Sequence, residues 1–334
     1  MIPLVRPLSA SVAGIDPVRV RSRGRRRIAA TFAGALAVAG ALAWALAGQR
    51  DEFATALGSA PVWVLALAAA LQVLALVSRS EAWFASVKAA GGTVSRRRLH
   101  RAAGTGNLAS VVNVQLGAAA RIAVLRRTAP ADSPRVPALI AAEVPILTVE
   151  ATLAAAASFT LVGPLGLPWW LPLIFLATAA ALIAGLGRLS LCRRRECWRG
   201  LAVLRSLHGR NRVVSLVLVA VFAQILRNWL MLHAVGVDAS VLDATAVLIA
   251  MVVIGQLPVG PSVGAAAVVV ILGANGVALT AAAGVLLTVT GTAGALCFAA
   301  WAALDGLRST VPQLSVPPAP AVPTAVASPL LVRS

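Results

Sequence analysis

At 334 residues the chain could hold two soluble domains, yet 59% of its residues are hydrophobic and only 12% are charged, about half the usual charged fraction. The net charge of +18 would suit nucleic acid, but the basic residues sit between long apolar blocks, with no aromatic stacking platforms among them. Composition excludes a soluble nucleic-acid-binding domain and points to an all-α integral membrane protein.

Residues 1–27 carry an arginine cluster from Arg19 to Arg27 and read as a disordered, basic cytoplasmic segment. The uncharged block Ile28–Gly48 follows, ending in Ala45-Leu46-Ala47, which looks like a signal-peptidase site. Signal h-regions run about 7–15 residues, so this longer block reads as a first transmembrane helix. Pro61–Val77 is the second predicted span. Ala102–Leu125 is interrupted by Gly104, Gly106, Asn107, Asn113, Gln115 and Gly117. Val136–Leu161, Trp169–Leu189 and Val213–Ala234 are clear spans. Ala244–Gly273 is broken between Gly255 and Gly264 by Pro258, Gly260 and Pro261, because proline removes an amide donor and clashes with the preceding turn. Leu279–Ala303 is the last span. Residues 306–334 are Pro-rich and read as a disordered cytoplasmic tail.

Charge decides how the two interrupted segments run. If both crossed fully, the eight arginines between Arg188 and Arg212 would face outward. If both enter and return on one side, every arginine cluster becomes cytoplasmic, as the positive-inside rule asks. The predicted fold is six transmembrane helices plus two re-entrant hairpins, with both termini in the cytoplasm. Residues 28–305 then form one transmembrane domain, whose second half, 169–305, inverts the first, 28–161, as in many transporters. The Ala, Val, Leu and Gly interior implies close packing of small residues.

Non-helical backbone at membrane depth must be buried or line a watery cavity. Each hairpin is expected to restart as a helix near Gly117 or Gly264, where free amides and the helix dipole would hold an anion. Arg121, expected in the first turn, would add charge. The plainer alternative is that the hairpins only complete the bundle. Glu143, Glu150 and Arg227 lie inside predicted spans, where charges are costly and face the bundle interior. Counted from the span starts, Glu150 and Arg227 reach similar depth, so an ion pair is expected between them. It would be either structural or part of a polar path with Glu143, Gln224 and Asn228.

No catalytic, nucleotide-binding or zinc motif appears. Cys192, Cys197 and Cys297 have no ligand spacing, and His100, His208 and His233 stand singly at helix ends. No cofactor or metal is expected. A polyprenyl-phosphate-dependent glycosyltransferase would have to use Asp51, Glu52, Asp238 or Asp243.

The segments Asn113–Arg121 and Leu257–Gly264 resemble the two signature regions of the lysylphosphatidylglycerol synthase transmembrane (flippase-like) family. The resemblance spans roughly Ile28 to Asp305 and implies a lipid-handling membrane domain. The family's first signature has Pro-Gly and an acidic residue before its arginine; here Gln115-Leu116-Gly117 stand there. The expected function is translocation, or transport-linked binding, of an anionic lipid. The head group would rest on Gly117, Arg121, Pro258, Gly260 and Gly264, with Glu143, Glu150, Gln224 and Arg227 lining its path. A glycosyltransferase is the alternative, as is a non-transporting partner of a lipid-modifying enzyme; a homo-oligomer fits any of these.

Single cysteines tested in intact cells check the topology. Cysteines at Arg127 and Arg195 should be shielded from an impermeant thiol reagent, and those at Gly58 and Ala239 labelled. External labelling at Arg195 would contradict the six-span arrangement.

Overall fold

The computed structural model describes residues 33–310 except 34–35, 38–39, 42, 113, 192–195 and 255–262. The basic N-terminal segment, part of the first predicted span, the signature residues Pro258 and Gly260, and the Pro-rich tail lie outside the described residues. The described residues form helices and no strand. Four helices are long and apolar enough to cross a membrane: Val62–Ala89, Val136–Leu165, Leu207–Ala234 and Val277–Asp305. Trp170–Leu186, Val241–Ile254 and Gly264–Asn275 are shorter apolar helices. The chain is an all-α protein built to sit in a membrane.

A short helix, α1 (Arg50–Ser59), carries Asp51 and Glu52 in its first turn, where acidic side chains favour the helix dipole. Next, α2 (Val62–Ala89) runs 28 residues, well past the expected end at Val77. Hydropathy falls at Arg79 and Glu81, but this end is nonetheless packed, with Ala82 and Trp83 at 0% exposure. The helix stops where Gly91 adopts φ +91° and its amide bonds back to the Lys88 carbonyl at 3.0 Å. That left-handed turn favours glycine.

The first interrupted segment forms two packed helices, α3 (Arg96–Val112) and α4 (Val114–Thr128). Glycine lets them meet: a Cβ on Gly106 would lie 2.8 Å from the Gly117 carbonyl, and one on Gly117 would lie 2.6 Å from Ser110 Cβ. The next span is broken into α5 (Val136–Ala141) and α6 (Val144–Ala157). Pro145 has no amide to return to the Ala141 carbonyl, so the helix breaks at Ala142-Glu143.

Then come α7 (Trp170–Leu191), α8 (Leu207–Ala234), α9 (Val241–Ile254), α10 (Val263–Leu272) and α11 (Val277–Thr310). Ser206 caps α8 by accepting from the Gly209 amide at 3.0 Å, a bond typical of an N-cap serine. The last helix continues past the expected domain boundary at 305.

The apolar core is divided. One part joins Val64 and Ala68 of α2 to Met231 and Leu232 of α8, Val247 of α9, Val268 of α10 and Leu287 of α11. The other joins Trp83 and Val87 of α2 to Val213 and Val217 of α8, Leu99 of α3, Leu125 of α4, Leu139 of α5 and Ile146 of α6. The ends of α2 and α8 pair in opposite order, so these helices are antiparallel. Between the two parts lies a small cluster of Ala75, Ala220 and Ala223. The hairpin α3–α4 feeds one end of the α2–α8 pair, and α9–α10 the other.

Small residues set the helix spacing throughout, as the composition implied. A Cβ on Gly284 of α11 would collide with Ala265 of α10, lying 2.8 Å from its amide nitrogen and closer still to its Cα. One on Gly294 would lie 2.6 Å from Gln72 Cγ. Overpacking of this kind costs about 1–3 kcal/mol. Gly284→Val should therefore lower the melting temperature in detergent clearly, whereas Gly185→Ala, with no atom within 4 Å of its site, should leave it unchanged. Equal effects would contradict close α10–α11 packing.

Candidate functional site

The charged residues of the spans gather around α2. Glu143 and Glu150 are seven residues apart and face the same side of the kinked span. Arg121 of α4 pairs with Glu143, and its guanidinium carbon lies 4.2 Å from the centre of the Trp83 ring, a cation–π distance. Arg79 Nη1 donates to Glu150 Oε1 at 2.6 Å. Two cations thus face two anions, and each charge has an opposite within contact. The Pro145 break sets Glu143 at the bend, beside buried Ala142 and Ile146.

The expected ion pair between Glu150 and Arg227 does not form. Arg227 is 3% exposed and donates to Gln72 Oε1, which also accepts from Gln224 Nε2 at 2.7 Å. Among the described residues Arg227 has no acidic partner. Gln72 and Arg79 are seven residues apart on α2, roughly 10 Å along the axis, which sets the Glu150 and Arg227 levels apart. The depth estimate failed because it counted from the ends of apolar blocks and took no account of the Pro145 break or of the intervening α2. A charge at mid-bilayer costs at least roughly 2.5–3.5 kcal/mol on insertion scales, so unpaired Arg227 is the expensive one.

As expected, each hairpin restarts as a helix near its glycine, α4 at Val114 and α10 at Val263. Gly117 lies inside α4 and Arg121 farther along it, beyond the first turn. Gly264 lies in α10, where a Cβ would strike Thr288 Oγ1 and sit 2.9 Å from the Gly284 carbonyl. Neither glycine has positive φ. Both glycines are contact points between packed helices.

Four contributors went unread in the sequence: Gln72, Arg79, Glu81 and Trp83, all on α2. The signal was available, since Gln72, Arg79 and Trp83 follow at intervals of seven and four and share one helix face. Glu81, 5% exposed, is the hub of a further ionic group, pairing with Arg96 and lying 3.0 Å from His100 Nε2 and 3.7 Å from Arg212 Nη2. His100 Nδ1 lies 2.8 Å from the Arg96 carbonyl, an atom that only accepts, so this nitrogen carries a proton. Nearby, Arg101 Nη2 contacts Asp305 Oδ2 at 3.0 Å, tying α3 to α11.

Comparison with known proteins finds no family model and no curated protein that matches the chain.

Stability separates the two polar groups. Removing one partner of a buried pair strands the other, whereas removing both need not. Arg227→Leu and Glu150→Leu should therefore lose detergent melting temperature additively, as independent sites do. Mutual rescue by the double substitution would restore the Glu150–Arg227 pair and contradict the geometry above.

Proposed function

We propose that the chain moves an anionic lipid, either a phospholipid or a polyprenyl phosphate, across a bacterial cytoplasmic membrane, or binds it as part of that movement. One observation carries this reading: the amide of Gln72, the guanidinium of Arg79 and the indole of Trp83 share one face of α2 and meet Arg227, Glu150 and Arg121 inside otherwise apolar helices. Membrane segments seldom keep such residues unless they serve a polar route or bind a ligand. A succession of donors and acceptors gives a head group places to rest while its acyl chains stay in lipid.

The proposed arrangement is six spans and two hairpins entering from opposite sides. Support comes from the two hairpins, which feed opposite ends of the antiparallel α2–α8 pair. Trp63, Trp169 and Trp170 are exposed at the beginnings of α2 and α7, at the same proposed interface, where tryptophan is enriched. The positive-inside rule favours cytoplasmic termini, given the arginine clusters. An enzyme reading has less support, because Asp243 accepts from the Ser240 amide at 2.9 Å and Ser240 Oγ accepts in return from the Asp243 amide at 3.1 Å. That reciprocal cap engages one of the few acids available for catalysis.

Reconstituted vesicles with fluorescent phosphatidylglycerol test the proposal. The double variant Arg79→Leu/Glu150→Leu removes a whole charge pair and strands neither partner. Lipid movement should slow by roughly tenfold or more, the equivalent of about 1.4 kcal/mol in the barrier. Unchanged movement in a folded double variant would contradict a polar route along α2.

A further inference from the structure

We infer that the anion is held by Arg227 together with the side-chain amides of Gln72, Gln224 and Asn228, and not by Arg121 or the hairpin glycines. The inference rests on the lipid-carrying reading above and names the binding group within it. Charge balance is the first ground. Arg121 and Arg79 face Glu143 and Glu150, so that group is neutral and has no cation to spare. Arg227 has no acidic counter-charge among the described residues, although it is more deeply buried than either glutamate.

Unfilled hydrogen-bonding capacity is the second ground. A guanidinium has five N–H donors, and among the described residues Gln72 Oε1 is the acceptor that serves it. Among the described residues Arg227 Nε has no partner, and neither do Asn228 Oδ1 and Nδ2, although Asn228 is 0% exposed. Buried polar groups left in this state call for an explanation. A phosphate oxygen pair accepting two parallel N–H bonds would fill the guanidinium fork, with shorter and stronger bonds than a neutral acceptor gives.

Position is the third ground. The Arg227 guanidinium rests against Gly291 of α11, where a Cβ would lie 3.3 Å from Nη1. Gly264, near the start of α10, rests against Thr288, one turn away on the same helix. The cation thus sits where α2, α8 and α11 meet, close to the helix that follows the second hairpin. Leu226 and Phe222 of α8 are 45% and 63% exposed, offering an apolar outer face to acyl chains just beside the buried cation.

Gln72 provides the sharpest test, because Gln72→Glu keeps the side-chain size and gives Arg227 an internal counter-ion. Purified full-length protein is titrated with phosphatidylglycerol, and separately with inorganic phosphate, and bound species are counted by native mass spectrometry. Wild type should bind one phosphatidylglycerol tightly, and Arg227→Gln and Gln72→Glu should each weaken it by roughly thirtyfold or more, as loss of a buried charged contact does. Gln72→Glu should also melt higher than wild type, and Arg121→Gln should weaken lipid binding less than Arg227→Gln does. Inorganic phosphate should bind at least roughly a hundredfold more weakly, since it buries no acyl chain; equal affinity would overturn the assignment to a lipid. Tight lipid binding by Gln72→Glu, or a loss confined to Arg121→Gln, would overturn the Arg227 site while leaving lipid carriage standing. No phosphatidylglycerol bound by wild type would overturn both.

Discussion

Charge buried among apolar helices has to find a partner inside the protein, and this requirement organises the bundle. Arg79 and Arg121 reach Glu150 and Glu143 from different elements, so α2, α4 and the kinked α5–α6 span are tied at two successive heights. Each glutamate would be costly alone in a membrane, and each helix alone would strand a charge. The ion pairs therefore specify which helices meet and at what height, whatever net stability they contribute. The broken span follows from the same demand. Pro145 interrupts the helix beside Glu143, so the carboxylate sits at a bend.

Close approach of small residues supplies the rest. Without a hydrophobic drive between helices in lipid, contact area and backbone proximity hold them together. Gly106 against Gly117, Gly264 against Gly284, and Gly294 against Gln72 bring neighbouring helices into close contact. The two apolar cores at opposite ends of the α2–α8 pair then leave a middle stretch in which Gln72, Arg79, Gln224 and Arg227 fall. Polar groups in that stretch, with apolar packing at either end, fit the polar route proposed above.

Four of the six predicted spans were legible because a bilayer-length apolar block has few other uses, and Val136, Leu207 and Val277 open helices close to where hydropathy places them. The far end of α2 was not, since hydropathy falls at Arg79 while burial continues through Trp83. The polar residues Glu143, Glu150, Gln224 and Arg227 were legible as expensive; their partners were not. Pairing depends on which helix stands between two others, and counting residues along each helix gives height without direction. The helix restarts near Gly117 and Gly264 were legible, but the helices packed against those glycines were not, because the sequence does not show which atoms lie opposite.

Exchanging charges within the central pair tests this account most directly. Arg79→Glu alone, or Glu150→Arg alone, places two like charges in contact inside the bundle, and neither should accumulate as folded protein in membranes. Arg79→Glu/Glu150→Arg restores opposite charges at the same level, and folded protein, measured as the monodisperse fraction after detergent extraction, should return to most of the wild-type amount. A double reversal no better than the worse single one would show that Arg79 and Glu150 do not meet, and the organisation of the bundle around α2 would fail with it.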